Sequence, residues 1–302
     1  MTVVLVIINA AGMVFSDDTE RYTSPLLMTL FKIDFSQWNN WALILFNVIL
    51  LSATIVYANR VIQAAGLIGR ISNLPMLVLA LLFGIIPISV NTPSTWLAAL
   101  LTVGLIYWSY QVLNGKSTLV SVFSAALISG VISLLDSAYC VFFVIPLLTS
   151  LSANQLGLRC FFIAIIGFFL PWYFTLSLAY LFVPNRMWVI FSDPGWNYAY
   201  FSTVSGFKLL TVSVLAIFTV VAINTSARST TLAERQRWQL ILGVMAVGLL
   251  TFFIGGAQIV FAAILIPITL IFSKYFLSSA GKWMQNGVFI TLAILMLIHL
   301  FI

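Results

Sequence analysis

Residues Trp238–Tyr275 read WQLILGVMAVGLLTFFIGGAQIVFAAILIPITLIFSKY, with hardly a polar break along their length. As one α-helix this run would measure about 55 Å at 1.5 Å per residue. A bilayer core is only about 30 Å thick, and about 20 apolar residues cross it. The run therefore reads as two helices of membrane-spanning length, with Gly255-Gly256 as a tight turn between them. The same arithmetic, carried along the rest of the chain, sets the architecture.

Composition agrees. The chain has 302 residues, 62% of them hydrophobic and 7% charged, and its mean hydropathy is +1.14. A soluble domain carries about 25% charged residues, so this surface suits hydrocarbon rather than water. The fold expected is all-α: a polytopic transmembrane helical bundle forming a single integral membrane domain over 1–302. The net charge of +6 reads as Lys and Arg in cytoplasmic loops. Nucleic acid is not expected as a partner, because no basic run is interleaved with aromatics. Cys140 and Cys160 have neither disulfide nor metal-ligand spacing and read as small packing residues.

The candidate spans are Thr2–Phe15, Trp41–Ala58, Leu74–Val90, Thr95–Leu113, Thr118–Leu135 and Ala138–Leu151. They continue with Arg159–Val183, Lys208–Asn224, Trp238–Ile254, Gly256–Tyr275 and Trp283–Ile302. That makes about eleven helices, in a range of about nine to twelve. Thr118–Leu151 is divided at Asp136-Ser137 by length. The first segment reaches only about 21 Å and has no basic start of the kind a signal peptide carries. It is expected to be the remainder of a longer helix.

Positive charges in short loops set orientation. With the N-terminus in the cytoplasm, nine bases fall inside: Arg60, Arg70, Lys116, Arg159, Arg228, Arg235, Arg237, Lys274 and Lys282. Four fall outside: Arg21, Lys32, Arg186 and Lys208. Six acids (Asp17, Asp18, Glu20, Asp34, Asp136 and Asp193) are outside and only Glu234 is inside. The location expected is the cell inner membrane, in several passes. An extracytoplasmic loop over 16–40 ends in an amphipathic stretch, Leu26–Trp38, suited to the interface. A second, over 184–207, carries Trp188, Trp196, Tyr198 and Tyr200, read first as interfacial anchors. The cytoplasmic loop over 225–237 contains Thr231-Leu232-Ala233-Glu234, a capping-box pattern. Arg235 and Arg237 then fall at headgroup level, where they read first as a topology signal, with contact to anionic lipid or a partner as the alternative.

Few residues invite chemistry. No phosphate-cradling loop, His-Glu metal motif or nucleophile elbow occurs. His299 reads as an end-of-helix residue, and Asp136 as an N-cap. Pro87, Pro146, Pro171 and Pro267 read as kinks. Ala125, Ser129 and Ser133 lie at four-residue spacing and suit close helix packing. The exception is Ser16–Pro25, which holds Asp17, Asp18 and Glu20 beside Arg21. One carboxylate there is suited to act as general base on a hydroxyl acceptor, or to hold a divalent cation against a lipid pyrophosphate. A solvated loop at a helix exit is the plainer reading of the same residues.

A helix, acids just past its exit, the Pro25-Leu26-Leu27 segment and a second helix ending in Arg60 resemble the opening of GT-C-type membrane glycosyltransferases. That resemblance covers the first half of the chain and implies a polyprenyl-linked sugar as substrate. It implies Asp17 or Asp18 as the catalytic acid, with Glu20, Arg21, Arg186 and Lys208 as substrate-binding residues. Asn73-Leu74-Pro75, the Leu134–Pro146 hairpin and Gly167-Phe168-Phe169-Leu170-Pro171-Trp172 resemble an uncharacterised family of polytopic inner-membrane proteins from Bacteroidota, of about this chain's 302 residues. Three functions follow as expectations: an active or degenerate GT-C-like protein working on a lipid-linked glycan, a non-catalytic subunit held by other membrane subunits in an envelope assembly, and a transporter.

Overall fold

A computed structural model describes residues 40–64, 66, 72–85, 93–115, 118–135, 137–154, 157–182, 214, 217, 219, 232–255, 257–277 and 282–301. Among the described residues the regular structure is entirely helical. The helices are α1 (Asn40–Ala64), α2 (Leu74–Ile85), α3 (Pro93–Leu113), α4 (Thr118–Leu135), α5 (Val144–Ser152), α6 (Leu158–Phe182), α7 (Leu232–Gly255), α8 (Ala257–Leu277) and α9 (Lys282–Phe301). A 3-10 segment, Ser137–Phe143, leads directly into α5.

The described residues hold nine α-helices, at the low end of the expected range, and do not by themselves support a count of about eleven. Of the expected spans, Thr2–Phe15 lies outside the described residues, and so does nearly all of Lys208–Asn224. Among the described residues four helical stretches are long and apolar enough to cross a membrane: Leu45–Ala64, Trp96–Leu113, Thr118–Leu135 and Leu158–Phe182. Shorter apolar stretches lie in α2, along 139–152, and in α8 and α9.

The opening stretch divides as its length required. α7 ends at Gly255 and α8 starts at Ala257. Helix α7 begins at Leu232, earlier than the apolar run, and so takes Glu234, Arg235 and Arg237 into its first two turns. An acid in the first turn faces the positive end of the helix dipole, which favours this early start.

The segment after Asp136 is not the plain α-helix expected from Ala138–Leu151. Tyr139 and Phe142 are both buried, a spacing of three. A 3-10 helix has three residues per turn, so it places these two side chains on one line. Tyr139 and Phe142 meet edge to face, ring centroids 5.2 Å apart. Pro146 is the third residue of α5, in the first turn, where proline is tolerated. Pro171 and Pro267 lie inside α6 and α8, which continue through them.

Helix α3 is the centre of the bundle and touches α1, α4, α5, α7 and α8. Its Trp96 is fully buried and meets Phe83 of α2, centroids 4.9 Å apart. Helix α2 packs on α1, α8 and α9. Helix α6 lies at the edge of the described bundle, against α4 and α5. Its contact with α4 is built on glycines. A Cβ on Gly130 would strike the Phe168 carbonyl, and one on Gly167 would lie 2.8 Å from the Phe123 carbonyl. Each helix thus offers a glycine where the other's backbone comes closest. Trp172 Nε1 completes the seam by donating to Ser133 Oγ at 2.8 Å. Ala125, Ser129 and Ser133 are fully buried, as their small-residue spacing led one to expect.

Candidate functional site

The residues singled out for chemistry (Asp17, Asp18, Glu20, Arg21, Arg186 and Lys208) all lie outside the described residues. So do nearly all of the segments 16–40 and 184–207 expected as outer loops, residue Asp136, and residues 225–231 of the expected cytoplasmic loop. The described polar structure gathers elsewhere, at one end of the bundle.

Side-chain bonds define that end. Arg237 Nη1 donates to the Gly66 carbonyl beyond α1 at 3.4 Å, and its guanidinium lies 5.3 Å from the ring centre of Tyr110 on α3. Gln236 Nε2 donates to the Ser152 carbonyl at the end of α5 at 3.0 Å. Lys274 near the end of α8 meets Glu234 Oε1 at 2.7 Å and lies 4.2 Å from the ring centre of Trp238. Gln285 Nε2 on α9 donates to the Tyr275 carbonyl at 3.0 Å, and Gln63 Nε2 on α1 to the Ser72 carbonyl before α2 at 3.4 Å. The first two turns of α7 are therefore the hub that ties the ends of α1, α3, α5 and α8.

Every charged residue among those described sits at this end: Arg60, Arg159, Glu234, Arg235, Arg237, Lys274 and Lys282. Six bases meet one acid. The Lys274–Glu234 pair is partly exposed, at 18% and 39%. Such a pair contributes no more than about 1 kcal/mol, so its value lies in fixing the α7–α8 register.

Between α3, α5 and α7 at the same end lies a cleft of about 120 Å³. Thr149, Ser152, Gln236 and Gln239 line it with polar atoms, and Leu148, Leu240 and Val244 with apolar ones. Gly243 also faces it, and a Cβ there would meet nothing within 4 Å. By contrast, a Cβ on Gly248, farther along the same helix, would meet Ile264 at 2.8 Å. Reading residues by type missed this cleft. Its signal was present in Gln236, Gln239 and Gly243, which recur three and four residues apart on one face of a helix.

Most buried hydroxyls turn back on their own helices: Thr54 to the Leu50 carbonyl, Thr102 to Ala98, Ser129 to Ala126, Thr251 to Gly248, Thr269 to Leu265 and Ser273 to Thr269. That is how a hydroxyl is satisfied without water. Ser109 Oγ and Trp96 Nε1 of α3 are exceptions, buried with no hydrogen-bond partner among the described residues. Among the described residues no three His, Cys, Asp or Glu side chains come together in a way that would hold a metal ion. Cys160 is buried as expected, whereas Cys140 on the 3-10 segment is exposed. The Cys140 expectation fails because three-residue spacing buries its neighbour Tyr139 and turns 140 outward.

No family model, no curated protein and no solved structure matches the chain.

Proposed function

We propose that this is a multi-pass protein of the inner membrane with its N-terminus in the cytoplasm, acting on a lipid-linked glycan at the opposite face. In this reading Asp17 or Asp18 serves as general base on a hydroxyl acceptor, with Glu20, Arg21, Arg186 and Lys208 on the substrate and a divalent cation against its pyrophosphate. The observation that carries it is the segregation of charge. Among the described residues all six bases lie at one end of the bundle, as the cytoplasmic end of a membrane protein requires. That leaves the acid-bearing loop 16–40 to emerge at the outer face, where polyprenyl-linked sugars present their headgroups. The test is transfer of labelled sugar from a polyprenyl-pyrophosphate donor by the purified protein in liposomes. Removing a general base lowers such a rate by about 10²- to 10⁴-fold, so Asp17→Asn or Asp18→Asn should abolish transfer. If the double variant keeps full transfer, the glycosyl-transfer reading is lost.

A second reading is a non-catalytic membrane subunit, favoured by helix α6. Only 17% of its apolar window is buried, and Phe162, Ile166, Phe169 and Tyr173 are exposed along one side. This row suits a partner's helix. Co-purification of a stoichiometric partner lost on Phe169→Ala would select this reading.

A further inference from the structure

We infer that the cleft between α3, α5 and α7 binds one anionic phospholipid of the leaflet at the basic end, its phosphate beside Arg235 and the start of one acyl chain along Leu240, Gly243 and Val244. The inference uses only the membrane embedding of the proposed function and is independent of glycan chemistry.

Position comes first. The cleft is lined along α7 from Gln236 to Val244, about 12 Å of helix starting two turns or less from the basic end. That depth matches the ester region and first methylenes of one leaflet. Polarity follows the same order. Ser152, Gln236 and Gln239 lie toward the helix ends, and Leu148, Leu240 and Val244 lie deeper. A lipid has the same gradient, polar at the head and apolar below.

Hydrogen-bonding capacity adds chemistry. The hydroxyls of Thr149 and Ser152 already donate to the Pro146 and Leu148 carbonyls. Gln236 Nε2 already donates to the Ser152 carbonyl, so what remains at the rim is its second amide N–H and the amide N–H groups of the exposed Gln239, which are donors. Phosphate and ester oxygens are acceptors only. Arg235 stands four residues before Gln239, hence on the same face of α7, and it is exposed. Arg159 opens α6 just beyond the end of α5. With six bases to one acid among the described residues at this end, an anionic headgroup is the complementary one; each basic residue at such a surface is worth about 1 kcal/mol.

Within the cleft, space for the chain lies at Gly243. No atom lies within 4 Å of a Cβ on Gly243, while the corresponding space at Gly248 is filled by Ile264. A glycine facing an open cleft lets an acyl chain lie directly on the helix backbone.

The experiment is native mass spectrometry of the detergent-purified full chain offered equal phosphatidylglycerol and phosphatidylcholine. One phosphatidylglycerol per chain should be retained and phosphatidylcholine lost. Gly243→Leu, which fills the cleft, should lose the bound lipid while its thermal midpoint is unchanged or raised. Arg235→Gln should retain lipid about fivefold more weakly, the worth of one basic contact. Equal retention of both lipids, or undiminished phosphatidylglycerol on Gly243→Leu, overturns the inference. So does a stoichiometric polypeptide found in place of lipid. Alkaline carbonate extraction of cell membranes serves as the separate check on embedding. A chain that stays with the membrane yet shows no lipid preference defeats only this site, whereas a chain released by carbonate defeats the membrane reading itself.

Discussion

Gly130 shows how much one absent methyl group can decide. A Cβ at this position would run into the backbone carbonyl of Phe168, and a carbonyl inside a packed helix cannot swing aside as a side chain can. Overpacking of this kind costs about 1 to 3 kcal/mol, more than the gain in helix propensity from Gly to Ala of about 1 kcal/mol or less. Gly130→Ala should therefore destabilise the protein, measured by unfolding in a denaturing detergent series. Ser133→Ala removes the hydroxyl that receives Trp172 Nε1, and hydrogen bonds between membrane helices average only about 0.6 kcal/mol. It should cost less than Gly130→Ala. A larger loss at Ser133 would mean that polar bonding rather than close approach holds α4 to α6.

At the scale of elements, the 3-10 segment settles a matter of length. Seven residues at about 2.0 Å and nine at about 1.5 Å bring Ser137–Ser152 to about 28 Å, whereas the fourteen-residue α-helix expected there reaches only about 21 Å. The tighter helix lets a short segment approach the thickness of a bilayer. Its side-chain pattern is testable. In lipid the transfer part of a core truncation vanishes, because the outside is also hydrocarbon. What is left is the cavity, at about 24 cal/mol per Å³. Phe142→Ala should thus cost about 2 kcal/mol, and Cys140→Ala close to nothing, by the same unfolding assay. Sequence periodicity could not foresee this, since apolar residues occupy nearly every position from Ala138 to Leu148 and a strip of hydrocarbon-facing residues looks like a strip of core. The split at Gly255-Gly256 was legible because length, not pattern, decided it. The start of α7 at Leu232 was half legible: the capping box announced it, but the hydropathy boundary lay six residues later.

For the whole molecule, orientation is the property to test. A chain with Cys140 and Cys160 replaced and a single cysteine at Gly157, where a Cβ meets nothing within 4 Å, should react with an impermeant thiol reagent only after the inner membrane is opened. Labelling of intact cells envelope-side would invert the topology and the proposed function with it. The bases that specify this orientation could be read directly, because loop charge acts through position along the chain and needs no packing. The hub at the start of α7 could not. It joins Arg237 to Gly66 and Gln236 to Ser152, pairs set by the fold rather than by spacing.

Helix α2 carries a consequence for the order in which the protein is made. Six residues in succession, Val78 to Phe83, are buried, so no face of this helix is left over for lipid. A helix apolar and enclosed all round needs neighbours on every side, and among the described helices it packs on α1, α8 and α9. Of these, α8 and α9 follow it in the chain only after α3 to α7 have been made. Later segments thus close an earlier one, and a chain stopped before Ala257 leaves α2 without two of the helices that enclose it.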